Sequence, residues 1–139
     1  MTILSSFDLS GKTALVTGSK RGMGRGMAEA LAAAGANIIG VSASMETDGG
    51  AVGAAVRDLG LNFYAYQCDF SHRAAMREFA AQVNSEHPVI DILVNNAGTI
   101  KRAPAAEHDD DLWDEVIETN LSAPFFSPRK PGQGMIQPG

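Results

Sequence analysis

The sequence predicts an α/β fold, a doubly wound parallel sheet of about four strands with flanking helices. Three observations carry this expectation. Short apolar runs at 13–17, 37–42, 63–67 and 91–95 alternate with segments of helical period. The first run leads directly into Thr17-Gly18-Ser19-Lys20-Arg21-Gly22-Met23-Gly24, and the fourth ends in Asn95-Asn96-Ala97-Gly98. Strands buried on both faces read as continuous apolar runs, and parallel neighbours need helical crossovers between them.

The elements follow in order. The start, MTILSSFDLSGK, lacks both a basic opening and a long apolar stretch, so it does not read as a signal peptide. After the first strand and its glycine turn, Met23, Met27, Ala30, Leu31 and Ala34 fall on one helical face, and Gly35 supplies the stop. The second strand is followed by a weaker helix over 48–59, because Gly49, Gly50 and Gly53 lower its propensity. After the third strand, Ala75, Met76, Phe79, Ala80 and Val83 repeat at helical spacing, with Ser71 as the expected N-cap. A helix from about Asp109 follows the fourth strand, with Trp113, Val116, Ile117 and Asn120 on one stripe, so that the Asn120 amide faces inward. The last thirteen residues, 127–139, hold three of the six prolines and three glycines, which no continuous helix tolerates.

Composition narrows the functional classes. The chain has 139 residues, 45% apolar and 19% charged, which suits one globular domain. A net charge of −5 with no long basic cluster disfavours a nucleic-acid or anionic-membrane partner. Cys68 is the only cysteine, and a lone thiol with no CxxC fits a reducing cytoplasm. No apolar run reaches 18 residues, so no membrane span is expected. His72 and His87 read as surface residues. His108 with Asp109, Asp110 and Asp111 has the wrong spacing for a metal site and suits the first turn of a helix, so no metal is assigned.

The two loops suggest phosphate chemistry. In the pattern T-G-x-x-x-G-x-G, Gly18 permits a tight turn, and Gly22 lets backbone approach a pyrophosphate. Gly24 lets the new helix pack closely, and the helix's free N–H groups and positive dipole end meet the anion. A tight strand-to-helix turn without a ligand would also use such glycines. In the second loop, Asn95 can lock its neighbours through side-chain hydrogen bonds, while Ala97 and Gly98 leave room for a ribose and nicotinamide. An Asx-type turn that merely closes the strand is the plainer alternative.

With both motifs in order, residues 9–126 resemble the short-chain dehydrogenase/reductase family, whose sheet is Rossmann-like. Phe7-Asp8-Leu9-Ser10-Gly11-Lys12, Ala34-Gly35-Ala36-Asn37-Ile38-Ile39-Gly40 and the stretch from Leu93 to Arg102 resemble its sugar-acid branch, the deoxy-gluconate 3- and 5-dehydrogenases. The resemblance implies an NAD(P)-dependent oxidoreductase that interconverts a secondary alcohol and a ketone on a small-molecule sugar acid. An acyl-carrier ketoreductase is the alternative within the family, and a coenzyme-binding fragment without catalysis the alternative outside it. A homotetramer is the inherited expectation.

Carried over motif by motif, Gly18, Gly22 and Gly24, with Ser19, Lys20, Arg21 and Met23 between them, match the family's coenzyme loop. Asp69, followed by Phe70, matches the aspartate that bonds the adenine amine, although it could instead cap the helix that follows. Asn95, Asn96, Ala97 and Gly98 match the supporting loop. Asn120 resembles the catalytic asparagine, which in the family holds a water of the proton relay; a satisfied core asparagine is the alternative. An NAD-preferring enzyme commonly places an acid at the end of the second strand. Ser42 stands there, and no acid appears before Glu46. Arg21 and Lys20 could pair with the 2′-phosphate of NADP or be solvated loop charges. The branch mostly uses NAD and can carry serine at this place, so the balance leans to NAD.

One departure is large. The family's Ser, Tyr and Lys catalytic set follows the Asn120 segment, the latter two as Y-x-x-x-K. The only tyrosines here are Tyr64 and Tyr66, both in the third strand, and neither has a lysine four residues on. Ser127 stands too early to replace the family's serine. The expectation is therefore an incomplete coenzyme-binding domain over 1–126 and an atypical tail over 127–139, as in a truncated or altered dehydrogenase.

Overall fold

In the computed structural model, residues 2–99, 104–107 and 109–122 are described. Four strands, β1 (Thr13–Thr17), β2 (Asn37–Ser42), β3 (Phe63–Gln67) and β4 (Ile92–Val94), form one sheet in the order β3-β2-β1-β4. All three pairings are parallel, with Leu15 opposite both Ile39 and Leu93. The helices are α1 (Gly22–Ala33), α2 (Gly50–Asp58), α3 (Arg73–Glu86) and α4 (Asp110–Ile117), the last running into a π-turn at Glu118–Ser122. The alternation expected from the apolar runs is present, although β4 is shorter than the run at 91–95. Asp91 stands outside the strand because its carboxylate accepts the Thr13 N–H at 2.9 Å.

The sheet has a core on each face because alternate strand residues point to opposite sides. Leu15, Ile39 and Val41 pack with Met76, Phe79 and Val83 of α3. Ala14, Val16 and Ile38 pack with Ala28 and Ala32 of α1 and Val52 and Val56 of α2. Full burial of a side chain such as Leu15 or Ile38 is worth about 1.5–3 kcal/mol.

Four details differ from the sequence expectations. The buried face of α1 is Gly24, Ala28 and Ala32, whereas Met23 is 79% exposed. Small residues let the helix lie close to the strands, and this face runs to one side of the large apolar residues. Residue His72, not Ser71, is the N-cap of α3, because the Ser71 hydroxyl is engaged by Asp69. Nor is His87 a free surface residue. It sits half-buried with its ring centroid 4.5 Å from that of Tyr64 and its Nε2 3.0 Å from the Tyr66 hydroxyl, where the end of α3 meets β3. Burial holds its pKa below the usual histidine value. Finally, Trp113 is 61% exposed, so the α4 stripe is not a buried one among the described residues. Asp109 caps α4 by accepting the Asp111 N–H at 2.9 Å, while His108 and the segment 127–139 lie outside the described residues.

The chain passes from β1 outward to β2 and β3, then returns to place β4 on the other side of β1. This reversal opens a crevice beyond the carboxyl ends of β1 and β4, where open α/β sheets bind ligands.

Candidate functional site

Both predicted loops meet in that crevice. The Thr17 Oγ1 accepts the backbone N–H groups of Asn96 and Ala97, each at 3.0 Å, and donates to the Val94 carbonyl at 3.4 Å. Asn96 Nδ2 in turn donates to the Gly18 carbonyl at 3.3 Å. The lock between the loops is therefore Asn96 rather than Asn95, which is exposed. Chain direction decides this: beyond the last residue of β4, position 96 turns towards β1 and position 95 away from it.

The turn is closed on one side and open on the other. A Cβ on Gly24 would stand 2.0 Å from the Gly18 carbonyl oxygen and 2.5 Å from Asn96 Nδ2. Gly18, with φ +66°, lies less tightly against the second loop, where a Cβ would stand 3.0 Å from the Ala97 Cα. By contrast, Gly22 has φ +61° and a Cβ there would meet nothing within 4 Å. Arg21, the N-cap of α1, makes no side-chain cap bond, so the first N–H groups of this twelve-residue helix face the opening uncapped by its side chain. Closed glycines, an open glycine and an uncapped helix start together fit a dinucleotide pyrophosphate. Met23 flanks this opening with its side chain in solvent.

Charged and hydroxyl groups from the first loop and the end of β2 converge beside it. The Lys20 N–H donates to Ser42 Oγ at 3.1 Å, which fastens the loop to β2. Lys20 Nζ donates to the Ser44 carbonyl at 2.7 Å and forms an ion pair with Glu46 at 3.0 Å. Arg21 Nη2 donates to Ser44 Oγ at 3.3 Å. That ion pair holds the Glu46 carboxyl below its usual range. The Ser19 side chain does not join this group. It is buried with its hydroxyl unpartnered among the described residues, and a Cβ on Gly40 would meet that hydroxyl at 2.7 Å, which places it beneath the loop.

At the end of β3, Asp69 Oδ1 accepts the Ser71 N–H at 2.9 Å and the Ser71 hydroxyl at 2.6 Å, while Oδ2 lies 3.2 Å from His72 Nδ1. The Asp69 carboxylate thus shapes the turn into α3. It also borders an open groove of about 740 Å³, which Arg73 and the α4 residues Asp111, Asp114 and Glu115 line too. Phe70 is core: its ring lies edge-on to Phe79, so only its backbone faces outward. The Ser71 hydroxyl holds the Asp69 carboxyl below its ordinary value. A carboxyl lowered on folding contributes above the ordinary carboxylate range, and the contribution is lost as pH falls through the lowered value. A carboxyl NMR titration should find Asp69 below a free aspartate in the native chain and moved upward in Ser71→Ala. An ordinary value in the native chain would refute this assignment.

Asn120 is exposed rather than inward-facing, and its amide makes a two-point contact with one residue of the β4 loop. Its Oδ1 accepts the Thr99 N–H at 2.7 Å, and its Nδ2 donates to the Thr99 carbonyl at 2.6 Å. The π-turn takes Asn120 off the α4 stripe and across Gly98, where a Cβ would meet its Oδ1 at 3.3 Å. A two-pronged ion pair, Arg73 Nε and Nη2 to Glu118 at 3.0 and 3.2 Å, ties the same turn to α3.

Three contributors were not singled out from sequence: Thr17 as a double acceptor, Ser44 as the joint between Lys20 and Arg21, and Thr99 as the seat of Asn120. Only Thr17, adjoining the first glycine, carried a local signal.

Comparison with known proteins agrees with this fold. The sequence profile described as short chain dehydrogenase matches residues 12–138. A 2-dehydro-3-deoxy-D-gluconate 5-dehydrogenase of Pseudoalteromonas atlantica is 58% identical over 134 residues, which cover 96% of this chain and 53% of that protein. The 3-oxoacyl-acyl-carrier-protein reductase of Escherichia coli is 40% identical over 119 residues, 85% of this chain and 47% of the relative. Among solved structures, a short chain dehydrogenase from Burkholderia cenocepacia in complex with NADP superposes with a TM-score of 0.83 at 32% identity, covering 91% of this chain and 51% of that one. The chain spans about half the length of these relatives.

Proposed function

The chain belongs to the short-chain dehydrogenase family, and we propose that it forms the coenzyme-binding part of an NAD(P)-dependent oxidoreductase interconverting a secondary alcohol and a ketone on a sugar acid such as a deoxy-gluconate. The observation that carries the coenzyme reading is the crevice in which Thr17 and Asn96 lock the two loops while Gly22 stays open. When bound, a nicotinamide coenzyme supplies or accepts the hydride. In this reading Gly18, Gly22, Gly24 and the start of α1 take the pyrophosphate, with Lys20, Arg21 and Ser42 beside the ribose. Asp69 takes the adenine amine through Oδ2, the oxygen that Ser71 leaves and His72 borders. Asn96, Ala97 and Gly98 flank the nicotinamide side, and Asn120 holds the β4 loop through Thr99 next to the reacting carbonyl. The sugar-acid substrate is supported by the 58% identity to a deoxy-gluconate dehydrogenase against 40% to the acyl-carrier reductase. NAD as the preferred coenzyme, a cytoplasmic homotetramer and a small-molecule partner complete the reading. The lone, buried Cys68, its thiol pushed up to about 11 by burial, suits a reducing compartment.

A second reading, binding without turnover, is favoured by one observation. Both tyrosines of the chain are engaged at the end of α3: Tyr66 is half-buried and tied to Glu86 and His87, and Tyr64 meets His87 edge-on.

Nicotinamide fluorescence tests coenzyme binding, which both readings share, and turnover separates them. The 139-residue chain should enhance and saturate NADH or NADPH fluorescence at one coenzyme per chain. Absence of any enhancement would overturn the coenzyme reading. Turnover of 2-dehydro-3-deoxy-gluconate by the protein isolated from its native source supports the dehydrogenase, and turnover only of acyl-carrier thioesters refutes the sugar-acid substrate. Binding without any turnover supports the second reading.

A further inference from the structure

At the end of β2 stands an acid four residues beyond the place where an NAD-preferring site usually has one. Ser42 holds that place and spends its hydroxyl on the Lys20 N–H. Glu46 lies farther along the loop, yet its carboxylate returns to the glycine loop and pairs with Lys20 at 3.0 Å. Its position is set from two sides. Lys20 is itself anchored by the Ser44 carbonyl at 2.7 Å, and the Glu46 carboxylate rests on the start of α2, where a Cβ on Gly50 would meet Oε2 at 2.6 Å. A carboxylate at a helix start is favoured by the helix dipole.

Two cations and one anion therefore share the region that borders the coenzyme's adenosine ribose. A 2′-phosphate brings a charge of roughly −1.5 to −2 at neutral pH. To pair with Lys20 it would have to displace Glu46, and it would then stand beside that unpaired carboxylate. A 2′-hydroxyl meets no such opposition. Resting on the coenzyme-site reading, we propose that Glu46 is a specificity-determining residue: by occupying Lys20, it biases the site against a 2′-phosphate and towards a ribose with a free 2′-hydroxyl. Arg21, reaching Ser44 Oγ at 3.3 Å, is left as the exposed cation of the pair, so discrimination is graded rather than absolute.

The test is isothermal titration of the full 139-residue chain with adenosine 2′,5′-bisphosphate and with 5′-AMP, which requires no turnover. Glu46→Gln should shift the affinity ratio towards the bisphosphate by about two- to fivefold, the scale of a partly exposed charge pair. Adding Lys20→Met to Glu46→Gln should cancel that shift, because the gain passes through the freed ammonium. An unchanged ratio in Glu46→Gln, or a gain that survives Lys20→Met, overturns the proposal while 5′-AMP binding keeps the coenzyme reading intact. If the native chain binds neither nucleotide, the coenzyme reading fails and the proposal fails with it.

Discussion

Replacing Gly24 by alanine should destabilise the chain by about 1–3 kcal/mol and weaken coenzyme binding by at least roughly tenfold. The expectation runs against helix propensity, which favours alanine over glycine by about 1 kcal/mol inside a helix. Sterics win because the new methyl would lie 2.0 Å from the Gly18 carbonyl oxygen and 2.8 Å from its carbon, and backbone cannot step aside as a flexible side chain can. Relief requires α1 to lift from β1, which opens the Asn96–Gly18 contact and moves the N–H groups that face the crevice. Gly26, two residues on in the same helix, provides the control. A Cβ there meets nothing within 4 Å, so Gly26→Ala should be neutral or stabilise by about 0.5–1 kcal/mol. Urea unfolding midpoints and NADH titrations of the two variants decide the matter. Equal behaviour of the two would remove the argument that Gly24 is where the helix touches the turn.

Thr17→Val should cost about 2–3 kcal/mol although it preserves shape and β propensity. The Thr17 side chain is 2% exposed and its oxygen is the acceptor for two consecutive backbone N–H groups, Asn96 and Ala97. Valine leaves both without a partner, and a buried donor left unmade costs about 1–3 kcal/mol. Their partial burial keeps the sum towards the lower end. Thr17→Ser retains the acceptor and loses only a methyl, so its cost should stay near 1 kcal/mol. Amide hydrogen exchange gives the sharper readout: the Asn96 and Ala97 amides should exchange faster in Thr17→Val and not in Thr17→Ser. Uniform acceleration across the sheet in both variants would mean that Thr17 acts through packing alone.

Much of the sheet was legible in sequence, and the reason is local. The runs over 13–17, 37–42 and 63–67 coincide with β1, β2 and β3, because the central strands β1 and β2 are buried along nearly their whole length and the edge strand β3 is rich in aromatic residues that favour extended backbone. The glycine spacing announced the turn for a similar reason, since a positive φ at Gly18 and Gly22 is a property of single residues. The buried face of α1 was not legible because periodicity weighs large apolar side chains, whereas a helix that starts against a tight turn buries small ones. Glu46 could be placed only by distance from the strand end, with nothing to show that it folds back on Lys20.

The sequence by itself therefore determined the alternation of strands and helices, the two loops and their order along the chain. These follow from side-chain polarity, β-branching and glycine's backbone freedom, each of which acts within a few residues. The tertiary structure alone decided the pairings. Asn96, not Asn95, reaches Gly18. Lys20 pairs with Glu46 across 26 positions, and Asn120 seats on Thr99 across 21. The physical reason is that a polar side chain carries no address. Its partner is set by which strand ends the parallel register brings side by side, and a turn of one residue redirects it.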